Sequence, residues 1–68
     1  MYLMKKEISD NIKNLRYNRK LAEKIGVTEG YISQIVNGRK TNISKTMAYA
    51  IAKAISSDLE IQNIFDVM

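Results

Sequence analysis

Thr28, Glu29, Gly30, Tyr31, Ser33 and Gln34 carry most of the chemistry this chain has to offer. A hydroxyl, a carboxylate, a phenol, a second hydroxyl and a carboxamide stand close together, with Gly30 leaving a gap among them. Such groups donate and accept hydrogen bonds. The chain contains no His and no Cys, so the commonest general base, thiol chemistry, disulfides and the usual zinc ligands are all missing. No two carboxylates stand out as a pair flanking a pocket. An enzyme is not expected, and neither is a metal, a cofactor or a small-molecule ligand. The run suits contact with a wet, polar surface.

A rigid element must present these groups. Ile32, Ile35 and Val36 fall at i, i+3 and i+4 and form one apolar helical face. Glu29, Gly30, Tyr31, Ser33 and Gln34 are then left off that face. Thr28 is a good N-cap, and Asn37-Gly38 ends the helix with the two residues that best tolerate positive φ. Just upstream, Leu21, Ala22 and Ile25 form a second apolar face, followed by Gly26 where a left-handed C-cap is needed. Val27 can tuck under the turn. Two short helices joined this tightly cross at a steep angle, and Ala22 is small where they would be closest.

Leu21-Ala22, Gly26-Val27-Thr28, Tyr31-Ile32-Ser33 and Asn37-Gly38-Arg39 resemble the helix-turn-helix of the phage repressor and Cro-like (lambda-repressor-like, XRE-type) family. The resemblance continues from Ser44 to Phe65. It implies an all-α domain over residues 1–68, a small lambda-repressor-like bundle of four to five short helices. It also implies a regulator of transcription, a repressor that binds double-stranded DNA as a homodimer on a near-palindromic operator. The same fold serves as the antitoxin half of toxin–antitoxin pairs, so a partner protein is the alternative.

By this resemblance the groove-facing positions are Glu29, Gly30, Tyr31, Ser33 and Gln34. Gln34 would bond an adenine through N6 and N7, and Glu29 would accept from cytosine N4. Glu29 would also repel phosphate at wrong sites. Gly30 would let the backbone come close, and Tyr31 would reach a phosphate or rest on a thymine methyl. Phosphate anchoring falls to Asn18, Arg19, Thr28, Asn37, Arg39, Lys40, Asn42 and Lys45. Plainer roles compete: Tyr31 as a support for the turn, Glu29 as a partner of the helix dipole, Ser33 as a buried hydroxyl near the first helix.

Ile8, Ile12 and Leu15 form the stripe of a first helix, beginning within residues 5–9 and running to about Tyr17. Ile12, Leu15, Arg16 and Arg19 match the family's "I..LR..R". The loop that should follow, and the Gln that usually opens the second helix, have no counterpart, because Lys20 leads straight into Leu21-Ala22. The first stripe does not continue onto Leu21 and Ile25. Either the chain bends within residues 17–20, with Asn18 as a cap, or one long helix is completed by another copy in a domain swap. The bend is favoured. No window has the period-two spacing of a β-hairpin.

Asn42 or Ser44 should cap a later helix that buries Met47, Ala48, Ile51, Ala52 and Ile55. Asp58 should cap a last one. Leu59, Ile61, Ile64, Phe65 and Val67 exceed what one face of a small core requires, so they read as a dimer interface, or else as the bottom of the core.

Net charge is +4, with 11 basic and 7 acidic residues, and after Lys53 only Asp58, Glu60 and Asp66 carry charge. A basic body with an acidic end suits a polyanion on one side. No apolar run is long enough for a membrane span. The opening MYLMKKE has the wrong order for a signal peptide, so a cytoplasmic protein is expected. At 68 residues the core is modest, and dimerisation would help its stability.

Overall fold

The computed structural model describes residues 1–13 and 15–68, Leu15 by its backbone alone. Among them the order is β1 (Tyr2–Met4), α1 (Lys6–Ile12), α2 (Leu15–Ile25), α3 (Glu29–Val36), α4 (Lys45–Ile55), α5 (Ile61–Ile64) and β2 (Phe65–Val67).

The centre of the fold is α2 and α3. α2 stops because Gly26 takes φ +87°, and the Val27 amide turns back to the Ala22 carbonyl at 3.0 Å. That closes the last turn around a left-handed residue. The Thr28 hydroxyl accepts from the Tyr31 amide at 3.1 Å and starts α3. α3 ends the same way as α2. Gly38 takes φ +76°, its amide donates to Ile35, and the Arg39 amide donates to Gln34. At Gly38 a Cβ would also lie 3.2 Å from the Leu3 side chain.

Leu21, Ile32, Ile35, Ile51, Ile64 and Phe65 are the largest fully buried side chains. Ala22, Ala48 and Ala52 are buried among them, so α2 and α4 approach the centre without bulk. α4 starts at Ser44, whose hydroxyl accepts from the Met47 amide at 3.0 Å, which decides between the two expected caps.

The fold is mostly helical but not purely α. β1 and β2 pair antiparallel, with Tyr2 opposite Val67, Leu3 opposite Asp66 and Met4 opposite Phe65. The Lys5 amide continues the ladder to the Ile64 carbonyl at 2.8 Å, and the Lys5 ammonium meets Asp66 at 2.7 Å. The other edge of β1 is held by the Tyr2 amide on the Thr41 carbonyl at 2.8 Å. Strands of three residues are too short to show a period, and these pair across nearly the whole chain rather than through a hairpin turn.

The bend is real, but it comes earlier than residues 17–20. α1 ends at Ile12, with Lys13 at φ −73° and ψ 64° as its C-cap. Leu15, Arg16 and Arg19 therefore belong to the second helix, not the first. Among the described residues no single helix runs through both segments. Asn18 is a buried residue within α2 and caps nothing. The inward face of α1 is Ser9 and Ile12, with Ile8 only partly buried; the side chain expected at Leu15 lies outside the described residues. Ser9 is inside because its hydroxyl donates to the Val36 carbonyl at 2.6 Å.

The last helix also differs. It begins after Glu60 rather than Asp58, with Asn63 accepting from the Glu60 amide at 2.9 Å. Two of the five residues expected at a dimer interface, Ile64 and Phe65, are instead spent inside their own core at 0% and 1% exposure. Leu59 and Ile61 are partly buried against that core, and Val67 is exposed. Closing the small core took more of this segment than helical spacing suggested.

Candidate nucleic-acid interface

α3 turns Ile32, Ile35 and Val36 inward. That rotation leaves Gly30 and Gln34 exposed and Glu29, Tyr31 and Ser33 at the margin, half-buried. At Gly30 an added Cβ would meet nothing within 4 Å, so no neighbour in the protein requires the gap there. The Gln34 carboxamide makes no hydrogen bond among the described residues, while its backbone carbonyl accepts from both Arg39 and Lys40.

The marginal residues each hold one of the expected anchors. Arg19 Nε donates to Glu29 Oε2 at 3.3 Å, joining α2 to the first turn of α3. The Lys40 ammonium lies 5.5 Å from the centre of the Tyr31 ring, a cation–π distance. Asn37 Nδ2 donates to Ser33 Oγ at 3.2 Å. Ser33 is thus tied to its own helix end and not to the first helix.

Around these, Arg19, Thr28, Asn37, Arg39, Asn42 and Lys45 are exposed, and Lys40 is half-buried. They flank both ends of α3, with Arg19 and Thr28 at its start and the others along its exit and the first turn of α4. Lys45 is the first residue of α4, where its charge gains nothing from that helix's own dipole. Asn18 does not join them. It is 5% exposed, and its Oδ1 is buried without a hydrogen-bond partner among the described residues.

Sequence reasoning passed over Arg16 and Lys20, which with Asn11 and Tyr17 line an open pocket beside α2. Their i, i+4 spacing was legible, but only once both are placed on one helix. It also passed over Lys24, whose ammonium reaches the Ala54 carbonyl at the end of α4 at 3.2 Å.

A helix-turn-helix family model of the XRE/Cro type matches residues 13–62. The chain belongs to this family. The match begins just after α1 and takes in α2, α3 and α4, so it covers every residue expected to meet DNA. No curated protein and no solved structure matches the chain. Members of this helix-turn-helix family are DNA-binding regulators of double-stranded DNA and are generally not enzymes. No helix among the described residues is long and apolar enough to cross a membrane.

Proposed function

We propose that this helix-turn-helix protein is a sequence-specific transcriptional repressor, cytoplasmic and homodimeric, that lays α3 in the major groove of a near-palindromic operator. The observation that carries the reading is Gln34. Its carboxamide is exposed and has no hydrogen-bond partner among the described residues, one turn after an open glycine, on a helix whose two ends are both fixed by left-handed glycines or a hydroxyl cap. A carboxamide so placed can bond adenine N6 and N7 together. Glu29 accepts from cytosine N4, Gly30 admits the backbone, and Tyr31 and Ser33 complete the reading face.

Arg19, Thr28, Asn37, Arg39, Lys40, Asn42 and Lys45 hold the phosphates on either side. If roughly four to six phosphates are neutralised per protomer, the logarithm of affinity falls by about 0.9 per phosphate per decade of salt. Two protomers reading successive turns stand about 34 Å apart. For the dimer contact the available apolar groups are Val67, which is exposed, and the partly buried Leu59 and Ile61. The alternative, a partner protein, would draw on the same three groups.

A duplex library screened at low and physiological salt, with the mass in solution measured alongside, tests the reading. Salt-sensitive selection of a two-fold symmetric site by a dimer is the expected result. Binding without selection, or no salt-sensitive binding, would overturn it.

A further inference from the structure

We infer that the Arg19–Glu29 ion pair is an exchange device, which makes phosphate anchoring at the start of α3 conditional on the base beneath it. This rests on the DNA-binding reading and names a residue that sets its specificity. In the free protein Glu29 holds Arg19. On the right base pair Glu29 takes the cytosine amino group and releases Arg19 to a backbone phosphate.

The geometry suits an exchange. The pair spans two helices and sits at the surface, its side chains 69% and 37% exposed. One contact joins them, Nε to Oε2 at 3.3 Å, and exposed pairs held by one contact are weak. Arginine carries five N–H donors in a planar fork, so the terminal nitrogens remain available while Nε is held. A phosphate can therefore begin to bind before the carboxylate lets go.

The cost of a wrong base follows from the same atoms. Glu29 is the first residue of α3, so docking α3 brings its carboxylate toward DNA and strips its water. A desolvated carboxylate without a partner is costly. Cytosine offers it an amino donor in the major groove, whereas guanine presents N7 and O6, both acceptors. Over an acceptor, Glu29 must keep Arg19. The complex at a wrong site is then short of one phosphate contact. The Tyr31–Lys40 and Ser33–Asn37 contacts repeat the arrangement of a reading residue holding an anchoring one.

The test is DNA binding across a salt series, on a duplex selected from a library and on a random duplex. The proteins are the wild type, Glu29→Gln, Arg19→Ala and the double variant, each confirmed as folded by circular dichroism. The wild type should lose affinity with salt more steeply on the selected duplex, by about 0.9 in the log–log slope, the value of one phosphate. Glu29→Gln should bind random DNA about tenfold more tightly, as for one lost discrimination, with its two slopes equal. In the Arg19→Ala background, Glu29→Gln should no longer change the slope difference. Equal slopes in the wild type would overturn the exchange while leaving DNA binding intact. So would a Glu29→Gln effect that is the same with and without Arg19, since plain repulsion of phosphate would explain it. No salt-sensitive binding by the wild type would remove the DNA reading and the exchange with it.

Discussion

The Ser9 hydroxyl donates to the Val36 carbonyl at 2.6 Å, inside the protein. One atom of α1 thereby satisfies the last residue of α3, a carbonyl beyond the reach of the helix's own hydrogen bonds. Ser9→Ala should leave that buried carbonyl unpaired and cost about 1–3 kcal/mol of stability. Urea unfolding checks this, with an unchanged slope and a lower midpoint expected. A midpoint at the wild-type value would mean that water replaces the hydroxyl.

Gly30→Ala separates folding from binding. Nothing lies within 4 Å of the added methyl, and alanine is the better helix former, so stability should rise by about 0.5–1 kcal/mol. DNA affinity should nevertheless fall, because the methyl occupies the space left for the base edges. Thermal melting and duplex titration on the same preparation would show the two moving in opposite directions. Unchanged affinity would take Gly30 out of the interface.

Gln34→Ala should weaken the selected duplex by about 1–3 kcal/mol and relax the preference at one base pair. Random duplex should bind as before. Equal losses on both would end its role as a base reader.

Arg39→Ala should weaken both duplexes alike and lower the salt slope by about 1. Arg39 is exposed at the exit of α3, so no loss of stability should accompany the change. An unchanged slope would exclude it from the phosphate contacts.

Asn18→Leu tests the one expected anchor that the fold buries. Its Oδ1 is a buried acceptor without a partner among the described residues, so an apolar side chain of similar size should stabilise the protein by about 1 kcal/mol. DNA affinity should stay the same. A loss of affinity at unchanged stability would return Asn18 to the phosphate set.

The helix-turn-helix was legible because its signals are local. Gly26, Thr28 and Gly38 act within a few residues of themselves, and the left-handed glycines and the hydroxyl cap stand where those residue types demanded them. The features that were not legible depend on distant partners. Ser9 is polar, and only the orphaned end of α3 explains why it lies inside. The break after Ile12 has no Gly or Pro to announce it, and the match of Arg16 and Arg19 to a first-helix pattern drew the boundary too late. Ile64 and Phe65 looked surplus until the β1–β2 pairing added Tyr2 and Met4 to the same core, with the Tyr2 and Phe65 rings edge to face at 6.1 Å. For the surface, residue type and helical rotation foretold that Gly30 and Gln34 are exposed, but the Arg19–Glu29, Lys40–Tyr31 and Asn37–Ser33 contacts required coordinates.

The sheet brings Met1 and Met68 together, their backbone groups within 3.2 Å of one another. With residues 1 and 68 so placed, this stretch of chain can be closed into a ring by a linker of a few residues. It can then be reopened at a loop remote from α3, such as 56–60, with every helix kept whole. By the same token, cargo fused at either end emerges at one common point, so two fused reporters would sit side by side and signal each other's proximity without a second binding partner.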